Sequence, residues 1–137
     1  MKKLIFLTVI LVVGITSFAQ TKFRKLSWQE AIVTAKQEGK MVFVDFYTDW
    51  CGPCKVMAKD VFPQKQVGDY FNAKFVCLKL NAEKEGRELA KRFKVTAYPT
   101  FIVVDTDEKV RAELKGAMDA DKFLTKLEIS PALWKRR

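Results

Sequence analysis

Seven residues with almost no polar interruption, Met41-Val42-Phe43-Val44-Asp45-Phe46-Tyr47, set the frame for the whole chain. A strand with one wet face alternates apolar and polar side chains. A run this uniformly apolar instead suits the middle of a sheet covered on both faces. Its one interruption, Asp45, puts a carboxyl where burial is costly. After Thr48-Asp49 comes Trp50-Cys51-Gly52-Pro53-Cys54-Lys55, and Lys55 to Lys59 can continue as a helix. Two cysteines at that spacing, at a strand-to-helix junction, sit within bonding reach of each other. The first stands at the helix N-terminus, where unpaired N–H groups and the helix dipole favour a thiolate. A C-x-x-C beside a βα pattern reads as a redox motif.

The remaining composition narrows the chemistry. The 137 residues contain no histidine, so no imidazole serves as base, proton shuttle or metal ligand. Ser-His-Asp and Cys-His catalysis are excluded, as are histidine-containing zinc sites. The three cysteines cannot all pair within one chain, and they fall short of a four-cysteine metal site. No metal is therefore expected. The net charge of +9 comes from lysines scattered among acids, with no basic–aromatic stripe suited to nucleic acid, so no nucleic-acid partner is expected. Only Trp134-Lys135-Arg136-Arg137 clusters.

Residues 1–19 read as a separate segment. Lys2 and Lys3 give a basic start, Leu4 to Ile15 an apolar run broken only by Thr8 and Gly14, and Ser17-Phe18-Ala19 small residues at the positions a signal peptidase reads. The expectation is a secretory signal peptide cleaved after Ala19, with residues 20–137 as one domain. The alternative, an uncleaved anchor, has an apolar run short for a span of about 20 residues. Removal of the segment takes away two lysines and no acid, leaving +7.

Along the chain, Gln20 to Leu26 is a lead-in that could supply an edge strand. Ser27-Trp28-Gln29-Glu30 is a capping box, opening a helix with Trp28, Ala31, Ile32 and Ala35 inward and ending at Glu38-Gly39-Lys40. The C-x-x-C helix stops at Val61-Phe62, before Pro63. Further elements are a helix over 64–72, a strand over 75–80, a helix over 83–93, a strand over 101–104, a return strand over 109–114 and a last helix over 119–128. Alternation gives parallel pairing in the first half, and the hairpin adds antiparallel strands. The expected fold is α/β, a mixed sheet of four or five strands with helices on both faces.

The segment Val44-Asp45-Phe46-Tyr47-Thr48-Asp49-Trp50-Cys51-Gly52-Pro53-Cys54-Lys55 closely resembles the active-site segment of thioredoxins. Tyr98-Pro99-Thr100 stands where that family has its cis-proline, Lys79-Leu80-Asn81 looks like its strand-end lysine segment, and Gly116 matches a glycine lining its substrate groove. The landmarks occur in family order over about Ser27 to Glu128. One departure is Lys59, where common thioredoxins carry a proline inside the helix. The pattern Cys-Lys-Val-Met, then Val-Phe-Pro, then Val-Gly-Asp-Tyr-Phe is more similar to secreted thioredoxin-like domains and to the C-terminal periplasmic domain of transmembrane thiol-disulfide reductases.

The resemblance implies roles. Cys51 is the nucleophile and Cys54 resolves the mixed disulfide. Asp45 lies behind Cys54 with a raised pKa and exchanges its proton. Lys79 modulates Asp45. Pro99 is cis, and the Tyr98 backbone pairs with substrate. Trp50, Gly52, Pro53 and Gly116 complete the contact surface. The redox-active Cys51–Cys54 pair is the only cofactor implied. Cys77, among Phe75, Val76 and Leu78, reads as a small buried hydrophobe.

The function expected is a periplasmic or secreted protein-disulfide reductase, acting as a monomer on protein disulfides and drawing electrons from a membrane thiol reductase. The alternatives are a disulfide oxidase or isomerase, a non-enzymatic binding module using the Tyr98–Pro99 groove, and metal delivery through the two thiolates.

Overall fold

The capping box at Ser27 forms as its sequence predicts. Ser27 Oγ accepts the Glu30 N–H at 3.2 Å, and the Glu30 carboxylate accepts the Ser27 N–H at 2.7 Å. This opens α1 (Trp28–Glu38), which leads into β1 (Met41–Tyr47). The structure is a computed structural model describing residues 20–128. The expected leader at 1–19, its cleavage after Ala19 and the Trp134–Arg137 cluster lie outside the described residues.

Helix α2 (Gly52–Val56) runs on into a π-helical turn, Met57–Val61. Next come α3 (Lys65–Lys74), β2 (Phe75–Asn81), α4 (Arg87–Arg92), the hairpin β3 (Thr100–Val104) and β4 (Val110–Lys115), and α5 (Ala120–Glu128). The sheet order is β2-β1-β3-β4. β1 pairs in parallel with β2 and antiparallel with β3, and β3 pairs antiparallel with β4. The sheet therefore has four strands. The lead-in adds an isolated bridge, Phe23 to Cys77, rather than a fifth.

Period-two alternation divides β1 between two cores. Val42, Val44 and Phe46 pack with Ala31 and Ala35 of α1 and Ala90 of α4. Phe43 faces the other way, against Met57 and Val61 of the π turn, Phe71 of α3 and Phe123 and Leu127 of α5. Its ring lies 4.7 Å from that of Phe71, edge-on, and 5.8 Å from that of Phe101, stacked. Both faces of β1 are thus covered, as its uniform hydrophobicity requires. Asp45 shares the Phe43 face and is buried there.

Two helices depart from their sequence reading. α4 begins at Arg87, later than the expected 83, because the chain first wraps tightly around Asn81. The N–H groups of Lys84 and Gly86 both donate to the Asn81 carbonyl, at 3.1 and 2.8 Å. A Cβ on Gly86 would sit 2.8 Å from Leu80 Cβ and 2.9 Å from the Asn81 oxygen, so the wrap requires glycine there. The C-x-x-C helix does end before Pro63, but through the π turn, closed by Phe62 N–H donating to the Met57 carbonyl at 3.0 Å. Lys59 sits within this turn, so the irregularity falls on the position where the family resemblance marks a missing proline.

Candidate active site

The site is built at the C-terminal end of β1, where the chain leaves the central strand and turns into α2. Cys51 caps that helix: its Sγ accepts the Cys54 N–H at 3.1 Å. The two cysteines form a disulfide, with Cα atoms 5.3 Å apart. Although Cys51 stands at the helix end and Cys54 one turn in, Cys51 is 3% and Cys54 4% exposed. In the oxidised state the Cys51 side chain is turned onto the helix end, bonded to Cys54 and taking its N–H, which leaves the two equally covered. Gly52 and Pro53 are exposed between them.

Trp50 is 66% exposed and is held from two sides. Its indole N–H donates to Glu83 Oε1 at 3.0 Å, and its ring meets that of Tyr98 edge-on at 5.9 Å. The Tyr98–Pro99 peptide bond is cis. Gly116, with φ +87°, donates its N–H to the Pro99 carbonyl at 2.9 Å. That backbone conformation is one only glycine adopts without strain. Trp50, Tyr98, Pro99 and Gly116, spread over 67 positions of sequence, are therefore linked around the Cys51 turn.

Asp45 is 1% exposed, and its Oδ1 makes no hydrogen bond among the described residues. Burial pushes its carboxyl up to about 7, while Lys79 pulls it down. Lys79 is its register partner on β2. The Lys79 ammonium stands 4.9 Å from the centre of the Tyr47 ring and lines a recess of about 130 Å³ that also reaches Cys54, Thr48 and Ala58. A carboxyl pushed up to about 7 is thus buried on the strand that leads into the cysteine turn, and its register partner Lys79 lines the recess that reaches the inner cysteine. Cys77 is 1% exposed and burial pushes its thiol up to about 12, which makes it unreactive.

Sequence reasoning missed the brace formed by the β2–α4 turn. Asn81 Nδ2 donates to Asp49 Oδ1 at 3.0 Å, and Asn81 Oδ1 accepts the Glu83 N–H at 2.9 Å. Lys84 pairs with Asp49 at 2.7 Å, which holds the Asp49 carboxyl below its ordinary value. Together with Glu83 on Trp50, these contacts fasten the residues just before Cys51 to the end of the neighbouring strand. Asn81 was visible only as the last member of Lys79-Leu80-Asn81. Nothing in the spacing pointed to Glu83 or Lys84.

Comparison with known proteins agrees with the geometry. The sequence pattern of the thioredoxin-like domain matches residues 28–129. The thiol:disulfide interchange protein DsbD of Pseudomonas fluorescens is 35% identical over 100 residues, covering 70% of this chain and 17% of that protein. A solution structure from Bacteroides thetaiotaomicron, provisionally assigned as a disulphide-isomerase, superposes with a TM-score of 0.75 at 42% identity, covering 87% of this chain and 98% of that one. The oxidised C-terminal domain of Neisseria meningitidis DsbD gives a TM-score of 0.62 at 30% identity, covering 73% and 89%. The chain spans less than a fifth of the length of the DsbD protein it matches.

Proposed function

Since the chain belongs to the thioredoxin-like domain family, we propose that it is an exported thiol-disulfide oxidoreductase that reduces protein disulfides through Cys51 and Cys54. The observation that carries this reading is the Cys51–Cys54 disulfide at the α2 N-terminus, following a strand that buries Asp45, whose carboxyl is pushed up to about 7.

In the reduced protein, the Cys51 thiolate attacks one sulfur of a substrate disulfide. A Cys51–substrate bond forms, the substrate S–S bond breaks, and the other substrate sulfur leaves as a thiolate that takes a proton. Cys54 gives its proton to the Asp45 carboxylate and attacks Cys51 Sγ. The substrate leaves as a dithiol, and the Cys51–Cys54 disulfide is formed. Two electrons have passed to the substrate. A dithiol donor must return them, and a membrane thiol reductase is the donor proposed. The cis Tyr98–Pro99 loop, tied to Gly116 and to Trp50, offers extended backbone beside the cysteines for a substrate strand. Export rests on the pattern of residues 1–19, and the redox-active disulfide is the only cofactor the mechanism needs.

The assignment of the Bacteroides relative favours a second reading, an isomerase, and an oxidase is the remaining alternative for the same cysteine pair. Equilibration with glutathione or dithiothreitol buffers separates them. A reductant is expected near the thioredoxin potential of about −270 mV, with catalysed insulin reduction. A value near about −120 mV without insulin turnover makes the protein an oxidant and overturns the reductase reading.

A further inference from the structure

The residues that directly follow Gly116 line a further depression. A groove of about 390 Å³ runs between the end of α2 with the π turn that follows it and the loop entering α5. Val56 at the end of α2 and Asp60 and Val61 of the π turn line it from one segment, and Ala117, Met118 and Asp119 from the other. Val56 is 49% exposed, two residues along the helix from Cys54, so its side chain is open to an incoming group. The walls are tied together, because the Met118 N–H points at Met57 Sδ, 3.4 Å away, within the π turn. The groove is therefore a built feature rather than a gap between loose segments.

Its charge runs against that of the protein. The chain carries +9 overall, yet among the described residues lining this groove the charged groups are the carboxylates of Asp60 and Asp119. Asp119 also accepts the Lys122 N–H at 2.8 Å, which fixes its direction at the start of α5. An apolar trough with two acids at its edge, on a basic molecule, discriminates by charge as well as by shape.

The occupant follows from continuity. Ala117 in the groove directly follows Gly116, whose N–H donates to the Pro99 carbonyl, and Val56 across from it lies two residues beyond Cys54. A polypeptide whose disulfide lies at Cys51 has its own neighbouring residues within reach of this groove. We propose that the groove is a subsite for the disulfide substrate's chain, taking one large apolar side chain with a lysine or arginine beside it. The proposal rests on the reading of Cys51–Cys54 as the exchange site, and it adds a preference for substrates whose cysteine is flanked by an apolar–basic pair. The apolar side chain covers Val56 and Met118, and the cation meets Asp60 and Asp119.

The test uses the purified, fully reduced protein and synthetic peptides with one cysteine as its mixed disulfide with 2-thiopyridine. A Leu-Lys or Leu-Glu pair is placed two, three, four or five residues from the cysteine, on either side. Attack by Cys51 on the peptide sulfur releases thiopyridone, which is followed optically. Each rate constant is divided by the same protein's rate with 2,2′-dithiodipyridine, a small neutral disulfide. At one or more placements, Leu-Lys is expected to react about tenfold faster than Leu-Glu, a difference of about 1.4 kcal/mol, and the ratio shrinks at high salt. In Asp60→Lys the ratio at that placement falls to one or inverts, and in Val56→Ser both peptides slow. A ratio near one at every placement, or one unchanged in Asp60→Lys, overturns the subsite while leaving the exchange site intact. Failure of every peptide while dithiodipyridine still reacts removes both the subsite and the protein-disulfide reading.

Discussion

Catalysed insulin reduction at pH 7 is expected to fall by on the order of 10⁴ in Cys51→Ser, the scale of loss when a covalent nucleophile is removed. A serine hydroxyl at the same helix end has no accessible anion near neutrality and forms no bond to sulfur that Cys54 could resolve. Nothing else in the chain substitutes. There is no histidine, and Cys77 is buried with its thiol pushed up to about 12. Cys77→Ala is accordingly expected to keep the wild-type rate. Equal turnover in Cys51→Ser and wild type, measured with dithiothreitol as donor, means that the exchange does not run through this pair.

The second large effect concerns Asp45 and appears in stability. Its carboxyl has an ordinary value of 3.8 and is pushed up to about 7 in the fold. Between those values the folded chain holds a proton that the unfolded chain has lost. Stability from this group is thus full below about pH 4, declines as pH rises toward 7, and is gone above it. A difference of about three pH units corresponds to about 4 kcal/mol. Asp45→Asn, which removes the charge, is expected to flatten that decline. In the oxidised protein at pH 8 it should be the more stable chain, by up to about 4 kcal/mol. Guanidinium unfolding at pH 4 and pH 8 measures this. The same substitution removes the proton acceptor for Cys54, so release of substrate from the mixed disulfide slows by about 10²–10⁴ and loses its rise through pH 7. Unchanged stability at pH 8 together with an unchanged release profile would separate Asp45 from the chemistry.

A buried carboxyl that weakens the fold at working pH marks a candidate functional position. It also explains why β1 could be read so readily. Every other residue from Met41 to Phe46 serves packing on one face or the other, so a lone acid in that run had to be either an error of register or a site. The register is unambiguous: Asp45 sits opposite Lys79 on β2 and Phe101 on β3.

The elements that could be read from the chain are those whose cause is local. The Ser27–Glu30 box, the apolar β1 and the halt before Pro63 each depend on neighbouring residues, and each lies where its pattern places it. The parallel β1–β2 pairing follows from alternation. Features set by contact across the fold were not legible. The late start of α4 depends on Gly86 meeting Leu80 and Asn81, which no propensity records. The π turn depends on Met57 and Val61 packing into the aromatic core, and Met57, Ala58 and Lys59 look like ordinary helix formers. In the site, Cys51, Cys54, Pro99 and Gly116 were legible because the family motif marks their positions. The Trp50–Glu83 and Asp49–Lys84 contacts were not, since they join residues 33 and 35 positions apart with no pattern between them.

Which sulfur meets the substrate decides the mechanism most directly. With Cys54→Ser, the reaction should stop after the first step. Incubation of the reduced variant with an oxidised peptide, alkylation of remaining thiols, digestion and mass spectrometry should find the peptide bonded to Cys51, with Cys77 free until unfolding exposes it. Restoring Cys54 should release the peptide as a dithiol. A Cys54→Ser protein that forms no adduct at Cys51, or forms it at Cys77, contradicts the mechanism.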